Sequence, residues 1–387
     1  MKPDQLAAAL AELDTQALRR VRRVLDGAQG VRVMLDGTPY LSFSSNDYLG
    51  LAHHHAITEA VRDAAARYGV GAGAAHLLSG HHRLHHALEA EFAAFVGMPA
   101  ALLFSTGYMA SLGVLPALLD RQGEVFEDKL NHASLVDAAL LSRAKLTRYP
   151  HLDLAVLEQR LAASTAKVKL IATDTVFSMD GDLAPLTELL ALARRYDAWL
   201  YLDDAHGFGV LGARGQGALA LLDDLGDSRL IYLATLGKAA GVAGACVAGS
   251  SALIEWLVNK ARTYIFTTAQ PPLLAAAVSA SLQVIAADTW RRTHLTALIA
   301  RLKVGLAGLP WPLMASDTPI QPLSVGGNAE ALRLAEGLRA RGILLPAIRP
   351  PTVPLGQARL RISLSAAHSE ADVDTLVAAL RELSEHA

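Results

Sequence analysis

Short, nearly continuous apolar runs alternate with stretches of helical periodicity along most of the chain. The runs are ALLFS (101–105), VKLIATD (168–174), AWLYLDD (198–204), LIYLAT (230–235) and GACVAG (244–249). Strands that are apolar on both faces and separated by helices are typical of a mostly parallel sheet covered by helices on both sides. The pattern therefore predicts an α/β fold built on a large sheet.

The two ends of the chain have different patterns. Leucines and valines at roughly helical intervals predict an amphipathic helix over residues 3–26, and VRVMLDGTPYLSFSS is typical of a hairpin that turns at Asp36-Gly37. After about residue 285, a long helical region leads to the strand ARLRISLS and the helix SEADVDTLVAALRELSEH. We predict three parts, an N-terminal helix and hairpin arm (1–48), a large α/β domain (49–285) and a smaller C-terminal α+β domain (286–387).

Composition and charge narrow the classes of function. Charged residues make up 19% of the 387 residues and the formal net charge is −2, so there is no basic field for nucleic acid or an anionic membrane. The single cysteine, Cys246, excludes an internal disulfide and favours a reducing compartment. The N-terminus has neither the apolar run of a membrane span nor the form of a secretory signal. We expect a cytoplasmic protein without nucleic-acid or membrane partners.

Lys238 is the first candidate for chemistry. Ligands of such sheets bind at the carboxyl ends of the strands, and Lys238 follows the run LIYLAT. No other charged residue occurs between Arg229 and Glu255. A lone ammonium in apolar surroundings is costly to desolvate unless its pKa falls or it is bound covalently, as in a Schiff base. From this segment alone, a lysine that extends from a tight loop into solvent is an equally good interpretation.

A second polar group follows the run in YLDDAHGFGVLG. Here an apolar strand delivers Asp203, Asp204 and His206 to a glycine-rich loop. An aspartate at this position could pair with a protonated pyridine nitrogen, as in pyridoxal phosphate enzymes. A metal pair or an ordinary acidic turn would have the same sequence.

Three further segments place polar groups at strand ends. His132 in LNHASLVDA could stack on a planar cofactor, although a helix cap is the better interpretation of this residue alone. Gly107 and Tyr108 follow ALLFS before a helix, where free backbone N–H groups would suit a phosphate. DTVFSMDGD places Ser178 just after another strand.

Taken together and in order, these motifs become specific. The succession G-Y, N-H-A-S, V-F-S-M-D-G-D, D-D-A-H-G and T-x-G-K resembles the α-oxoamine synthase family of fold-type I pyridoxal phosphate enzymes. SSNDYLGL (44–51) and RPPTVPLGQARLRISLSAAH (349–368) extend the resemblance over almost the whole chain. The resemblance implies a fold-type I transferase with pyridoxal 5'-phosphate (PLP) as cofactor. It also implies acyl transfer with loss of carbon dioxide.

The resemblance implies roles for individual residues. Lys238 would hold the cofactor as a Schiff base and act as the acid–base group at Cα, Asp203 would pair with the ring nitrogen and His132 would stack on the ring. His206 and Ser178 would contact the phenolic oxygen. The residues implied near the cofactor phosphate are Gly107, Tyr108, Thr235 and, across a dimer interface, Thr267 and Thr268. Those implied for substrates are Arg361 for the amino-acid carboxylate, Arg19 and Thr352 for the acyl donor, and Asn46 and His132.

Members of this family differ in their amino acid and acyl thioester. The stretch AIRPPTVPLG is most similar to the branch that joins L-alanine to a pimeloyl thioester, on coenzyme A or acyl carrier protein, in biotin synthesis. Branches that make 5-aminolevulinate, 2-amino-3-ketobutyrate or a sphingoid ketone are the alternatives, together with a catalytically silent partner subunit. The resemblance also implies a homodimer with active sites at its interface.

Two histidine clusters are candidate metal-binding sites. HHRLHH (81–86) contains two histidine pairs at i,i+4, a spacing that can chelate a metal on a helix face. The segment offers no third ligand in a known motif, so a solvated helix face is favoured. HHH (53–55) has the same interpretation, and we predict no metal site.

Overall fold

The computed structural model describes residues 2–15, 18–19 and 22–385. In chain order the strands are β1 Leu25–Asp26, β2 Arg32–Leu35, β3 Thr38–Ser42, β4 Ala100–Phe104, β5 Gly123–Asp128, β6 Lys145–Tyr149, β7 Val168–Asp174, β8 Ala198–Asp203, β9 Leu230–Thr235, β10 Ala245–Gly249, β11 Ile320–Gly326, β12 Ile343–Leu344, β13 Ala347–Ile348 and β14 Ala358–Ser363. The helices are α1 Leu6–Thr15, α2 His55–Tyr68, α3 Arg83–Val96, α4 Gly107–Leu118, α5 Ala133–Ser142, α6 Leu154–Ala163, α7 Leu186–Arg195, α8 Ser251–Lys260, α9 Arg262–Ile265, α10 Pro272–Ala287, α11 Thr289–Leu306, α12 Asn328–Ala340 and α13 Glu370–Ser384.

Within the described residues, the largest sheet has the strand order β4-β10-β9-β8-β7-β5-β6. Neighbouring strands from β9 to β6 are parallel, whereas β10 is antiparallel to both β4 and β9. The apolar runs of the sequence coincide with β4, β7, β8, β9 and β10. The predicted mostly parallel sheet is therefore confirmed. No apolar run marks β5 or β6, because charged residues interrupt both segments, GEVFED and KLTRY.

Hydrophobic side chains fill both faces of this sheet. Along β8, Leu200 and Leu202 belong to one core cluster, whereas Tyr201 between them belongs to the other. Alternate residues of a strand point to opposite faces, so each strand contributes to both clusters. All three side chains are fully buried, which stabilises the fold by roughly 1.5–3 kcal/mol for each large apolar side chain. Helices therefore cover the sheet on both sides, as the uninterrupted apolar runs indicated.

The N-terminal helix is shorter than predicted. Helix α1 ends at Thr15 instead of near residue 26, and β1 already begins at Leu25. The backbone N–H groups of Leu18 and Arg19 both donate to Leu13 O, a pattern typical of a helix end. The apolar spacing explains why the predicted helix was too long. Leu18 follows Leu13 by five residues, so it does not lie on the apolar face that the preceding leucines form.

The predicted hairpin forms, and it joins a strand from the other end of the chain. Strands β2 and β3 pair in antiparallel register around Asp36 and Gly37, which have φ of 49° and 77°. Both residues thus adopt the positive φ of a tight hairpin turn. Strand β12 then adds to β3 in parallel, so the sheet order is β1-β2-β3-β12. The predicted division at residues 48 and 285 stays a prediction, although this sheet contains segments from both sides of it.

The C-terminal part contains the predicted strand and helix as β14 and α13. Strands β11, β14 and β13 form a small antiparallel sheet. Helices α10 and α11 meet at Asp288 with a bend of 68°. No single helix among the described residues has the length and apolar character to cross a membrane, whereas the α10–α11 pair passes that test when its two helices are taken together.

The prediction of a solvated face for HHRLHH is wrong for one of its histidines. Helix α3 begins only at Arg83, so His81 lies outside it, in the segment after the π turn His76–Gly80. His85 is fully buried and its Nε2 donates to Gln270 O at 2.9 Å. Its burial depends on a segment almost two hundred residues away, which the local spacing of histidines does not reveal.

Gly241 is a position where the fold tolerates no side chain. It has φ of +69°, and an added Cβ would lie 2.5 Å from Leu51 C and 2.6 Å from Ala52 N. Gly308 has φ of +82° but open space around the added atom. We expect Gly308→Ala to lower the free energy of unfolding by about 1–2 kcal/mol through backbone strain alone. Gly241→Ala should cost a further 1–3 kcal/mol, roughly, from overpacking. Chemical denaturation of both variants measures the difference, and equal losses would contradict the steric argument.

Candidate functional site

A cavity of about 440 Å³ opens at the carboxyl end of the parallel strands. Nine of the residues predicted from the sequence line it: Asn46, Gly107, Tyr108, His132, Ser178, Asp203, His206, Thr235 and Lys238. A larger cleft of about 790 Å³ lies beside the N-terminal hairpin and contains none of the predicted residues. The smaller cavity is therefore the candidate active site, because nine of the predicted residues line it and none lines the larger cleft.

Two carboxylates lie side by side at the edge of this cavity. Asp174 ends β7, Asp203 ends β8, and the parallel register pairs them directly. Burial raises the pKa of Asp203, while the charges of Lys238 and His132 act in the opposite direction. Burial raises the pKa of Asp174 as well, and the neighbouring charge of Asp203 adds to the effect. The site thus brings two carboxyl groups together away from water.

Lys238 extends into the cavity from the loop after β9. Burial lowers the pKa of its ammonium to about 8, although Asp203 and Asp174 favour the charged form. Its Nζ lies 2.8 Å from His206 Nε2. The alternative of a lysine directed into solvent is therefore wrong, since the amine is desolvated among these groups. An amine with this pKa is a competent nucleophile and base near neutral pH.

A chain of hydrogen bonds orients the partner of Lys238. Burial lowers the pKa of His206 well below its ordinary value, and the charges of Lys238 and Arg361 lower it further. The imidazole ring is therefore neutral. Nε2 accepts from Lys238, and Nδ1–H then donates to Tyr48 Oη at 2.6 Å. Tyr48 Oη–H in turn donates to Asn46 Oδ1 at 3.1 Å. This tautomer follows from the network, because a neutral imidazole has one N–H and one lone pair.

Arg361 lies in β14, behind the wall of the cavity. Its Nε donates to Ser178 O at 2.5 Å and its Nη1 donates to Ser363 Oγ at 2.7 Å. Its contacts with Asn46 Oδ1 and Tyr48 Oη, at 3.3 and 3.4 Å, are long. The guanidinium is thus held in place from one side and only loosely engaged on the side towards Asn46.

His132 forms the helix cap that its position in the sequence favoured, whereas its stacking on a cofactor stays a prediction. It is the N-cap residue of α5, where its Nδ1 accepts from Ser134 N at 3.2 Å. Its backbone N–H donates to the Asp174 carboxylate at 3.2–3.3 Å. The ring also lines the cavity, with the edge of Tyr108 6.4 Å away between ring centroids. The cap contacts fix the position of the ring at the wall of the cavity.

The N-terminus of α4 supplies backbone donors to the same cavity. Thr106 caps this helix by accepting from Met109 N at 3.1 Å. Gly107 follows it, and an added Cβ there would lie 2.5 Å from Thr235 Cγ2. A glycine is therefore needed for this close approach of helix and strand. Free N–H groups at a helix start form a ready anion site.

Besides Arg361, four predicted residues lie outside the cavity of this chain. Thr352 is exposed, Thr268 is exposed and Thr267 is half-buried. Arg19 forms an ion pair with Asp14 at 2.6 Å on the surface. Their predicted roles stay predictions, and those of Thr267 and Thr268 require a second subunit.

Two residues at the site had no role in the sequence prediction. Tyr48 lies in SSNDYLGL, a segment that carried the resemblance, and its burial beside His206 is visible only in the fold. Asp174 is the last residue of the run VKLIATD. The rule that ligands bind at strand ends could have identified Asp174.

His151 clamps the turn that carries Ser178. Burial would lower the pKa of His151, but hydrogen bonds to Asp128 and Asp182 outweigh it and raise the pKa to about 10. Nδ1 lies 3.0 Å from Asp128, at the end of β5, and Nε2 lies 2.8 Å from Asp182. Phe177 N also donates to Asp182 O at 3.0 Å, which closes the turn. A charged imidazolium therefore ties the turn to the sheet.

The chain matches the family described as aminotransferase class I and II over residues 38–380. A solved structure described as SPT with the PLP internal aldimine has the same fold, with a TM-score of 0.92. It is 26% identical and covers 99% of this chain and 97% of its own. The chain therefore belongs to the class I and II aminotransferase family, and the predicted fold-type I architecture is confirmed.

More similar relatives define the group within the family. The 8-amino-7-oxononanoate synthase of Nitrosomonas eutropha is 59% identical over 386 residues, which cover 99% of this chain and 100% of the relative. That of Thiobacillus denitrificans is 61% identical over 381 residues, or 98% of both chains. Within its family, the chain thus belongs with the 8-amino-7-oxononanoate synthases. The family resemblance of its motifs is confirmed.

Replacing His151 by glutamine should weaken the fold most at low pH. With a pKa of about 10 in the folded chain and an ordinary value of 6.5, the charged imidazole stabilises fully below pH 6.5. The stabilisation then shrinks steadily and is lost as the pH rises through about 10. Allowing for partial exposure, we expect His151→Gln to cost about 2–3 kcal/mol near pH 6.

Denaturant unfolding of wild type and variant at about pH 6, 8 and 10 measures this difference. The exposed His55 provides a control, because His55→Gln should change little at any pH. If His151→Gln lowered the free energy of unfolding equally at all three pH values, the shape of the side chain and not its charge would be responsible.

Proposed function

We propose that this chain uses PLP, bound in the cavity, to condense L-alanine with a pimeloyl thioester, releasing carbon dioxide and 8-amino-7-oxononanoate. The observation that carries this proposal is the desolvated Lys238, with its pKa near 8, beside buried Asp203 and neutral His206. The identity with 8-amino-7-oxononanoate synthases supports the choice of product. We also propose a cytoplasmic location, since Cys246 is free and buried.

The charges of the cavity fit this cofactor. Two buried carboxylates, Asp174 and Asp203, face a single ammonium, Lys238. A protonated pyridine nitrogen against Asp203 would form an ion pair with its carboxylate, and the start of α4 at Gly107 offers N–H groups to a phosphate. Lys238 Nζ would hold the cofactor covalently, with His132 against its ring. When bound, PLP supplies an electron sink for the negative charge that develops at the amino-acid Cα.

Lys238 is the group positioned to move the proton at Cα of alanine. Its lowered pKa keeps a substantial neutral fraction of the amine near neutral pH. His206 Nε2 accepts one hydrogen bond from Nζ and so limits the directions in which the amine can point. Tyr48 and Asn46 hold His206 in the tautomer that accepts. The hydrogen bonds of His206, Tyr48 and Asn46 therefore orient the lysine amine. The proton itself is transferred by Lys238.

Arg361 is proposed to bind the alanine carboxylate. Its contacts with Asn46 and Tyr48 are 3.3–3.4 Å long, so little is lost if a ligand replaces them. A carboxylate would form shorter, charge-assisted and bidentate bonds with the same guanidinium. The contacts with Ser178 O and Ser363 Oγ would meanwhile keep the side chain in place.

The acyl donor presents a second carboxylate at the end of its chain. A purely apolar tunnel would reject it, because an unpaired buried charge is costly. The resemblance assigns this end to Arg19, with Thr352 along the path. Arg19 pairs with Asp14 on the surface in this chain, and a bound carboxylate would compete for that arginine.

An activity matrix tests the substrate assignment. Purified holoprotein is assayed with alanine, glycine and serine against pimeloyl, acetyl, succinyl and palmitoyl thioesters, with release of thiol and carbon dioxide as readouts. We expect alanine with pimeloyl thioester to exceed every other pair by at least about tenfold in kcat/KM, a typical selectivity for one methyl group. Lys238→Ala should abolish turnover with every pair. Faster turnover of glycine with an acetyl or succinyl donor would overturn the assignment.

We further propose a homodimer that shares its active sites. Thr267 and Thr268 lie beside Phe266, which is 70% exposed, and Leu78 in the π turn is 81% exposed. Large apolar side chains at this exposure are typical of a surface that a partner covers. A second copy of the chain is the partner that the resemblance implies for the two threonines.

Mixed dimers test this arrangement. Light scattering should give the mass of two chains. Lys238→Ala should be inactive and a Thr267→Ala/Thr268→Ala double variant weakly active, and subunit exchange between them should restore activity. With random pairing, about one site in four combines both intact parts, so recovery should approach a quarter of wild type. A fully active monomer, or no recovery despite proven exchange, would contradict shared sites.

A further inference from the structure

Three potential metal ligands converge near the start of α3, outside the candidate active site. His81 precedes the helix, while His86 and Glu89 lie on it, three residues apart. One ligand atom of each residue lies within 4.8 Å of the others. The histidine pairs of the sequence lacked a third ligand, and the fold supplies one by bringing His81 back over the glutamate.

A second histidine orients His81. The Nδ1 atoms of His76 and His81 lie 2.9 Å apart, so one of them carries the shared proton. His76 is buried and stacked on Tyr264 with 4.7 Å between ring centroids. If His81 donates from Nδ1, its Nε2 presents a lone pair towards Glu89 Oε2, 4.0 Å away. A ligating histidine that donates its other N–H to a fixed partner is the usual arrangement in metal sites.

Glu89 has one oxygen in use and one available. Its Oε1 accepts from Leu103 N at 3.0 Å, which fixes the carboxyl group. Its Oε2 faces His81 at a distance too long for a hydrogen bond. This oxygen is therefore available to bind a divalent cation.

His85 is excluded as a ligand although it lies close by. Its Nε2 donates to Gln270 O at 2.9 Å, and its Nδ1 accepts from His82 N at 3.1 Å. Both ring nitrogens are therefore used to hold α3 in place. The alternative group of His76, His81 and His85 would have to break these bonds before it could bind an ion.

We propose that His81, His86 and Glu89 form a binding site for Zn²⁺ or a similar divalent transition metal ion. Two imidazoles and a carboxylate suit zinc, and the exposed His86 leaves a fourth position open to water. Tetrahedral zinc needs ligand atoms about 3.3 Å apart, so side-chain rotations have to close gaps of up to about 1.5 Å. His76 is a positioning residue that sets the tautomer of His81.

Metal titration of the holoprotein tests the site. After dialysis against a chelator, Co²⁺ should develop the visible absorption of a low-symmetry tetrahedral ion, saturating at one equivalent per chain. Zn²⁺ should then displace it. Equilibrium dialysis with Zn²⁺ alone should give the same stoichiometry. Absence of one-equivalent binding at micromolar metal would overturn the proposal.

Variants separate this site from adventitious binding by surface histidines. His86→Gln and Glu89→Gln should each weaken Zn²⁺ binding at least about tenfold, and His76→Phe should weaken it about as much while it keeps the stacking on Tyr264. His53→Gln removes an exposed histidine elsewhere and should leave binding unchanged. Because His86 is exposed, His86→Gln should fold normally, which unchanged cofactor absorbance verifies. Equal binding by wild type and His86→Gln would exclude the proposed ligand set.

Discussion

The balance of buried charge among Asp174, Asp203 and Lys238 is the constraint on which the site depends. Parallel pairing of β7 with β8 brings the two carboxylates together, and the loop after β9 brings the amine to them. Each of these groups would be costly to bury alone. Burial raises the pKa values of both aspartates and lowers that of Lys238 to about 8, while the attraction between Lys238 and the carboxylates opposes these shifts. The geometry of the sheet thereby places a reactive amine beside two carboxyl groups that can pair with a cationic ring.

The groups that orient this centre come from distant parts of the chain. Tyr48 and Asn46 follow the N-terminal hairpin, His206 follows β8, and Arg361 lies in the small C-terminal sheet. Their hydrogen bonds form one connected network around Lys238. The N-terminal arm and the C-terminal segment are thus attached to the large sheet at the site itself. Any shift between these segments would change the direction in which the lysine amine points.

Histidines in this chain show how partners, and not burial alone, set the charge of a side chain. His151 lies between two carboxylates and has its pKa raised to about 10. His85 is buried against a backbone carbonyl and other histidines, and burial lowers its pKa to about 4. His151 is therefore charged, and its ion pairs hold the turn that carries Ser178. His85 is neutral, because no opposite charge offsets its desolvation, and it holds α3 in place through hydrogen bonds.

The sequence by itself determined the strands of the large sheet that are apolar throughout, the Asp36-Gly37 hairpin and the strand ends that carry Asp203, His206 and Lys238. These features depend on neighbouring residues, whose side-chain alternation and turn propensities act locally. Only the tertiary structure decided the pairing of β12 with β3, the roles of Tyr48 and Asp174, and the burial of His85. Each of these depends on contacts between residues far apart in the chain. The energy of such contacts comes from burial and from partners that no local pattern identifies.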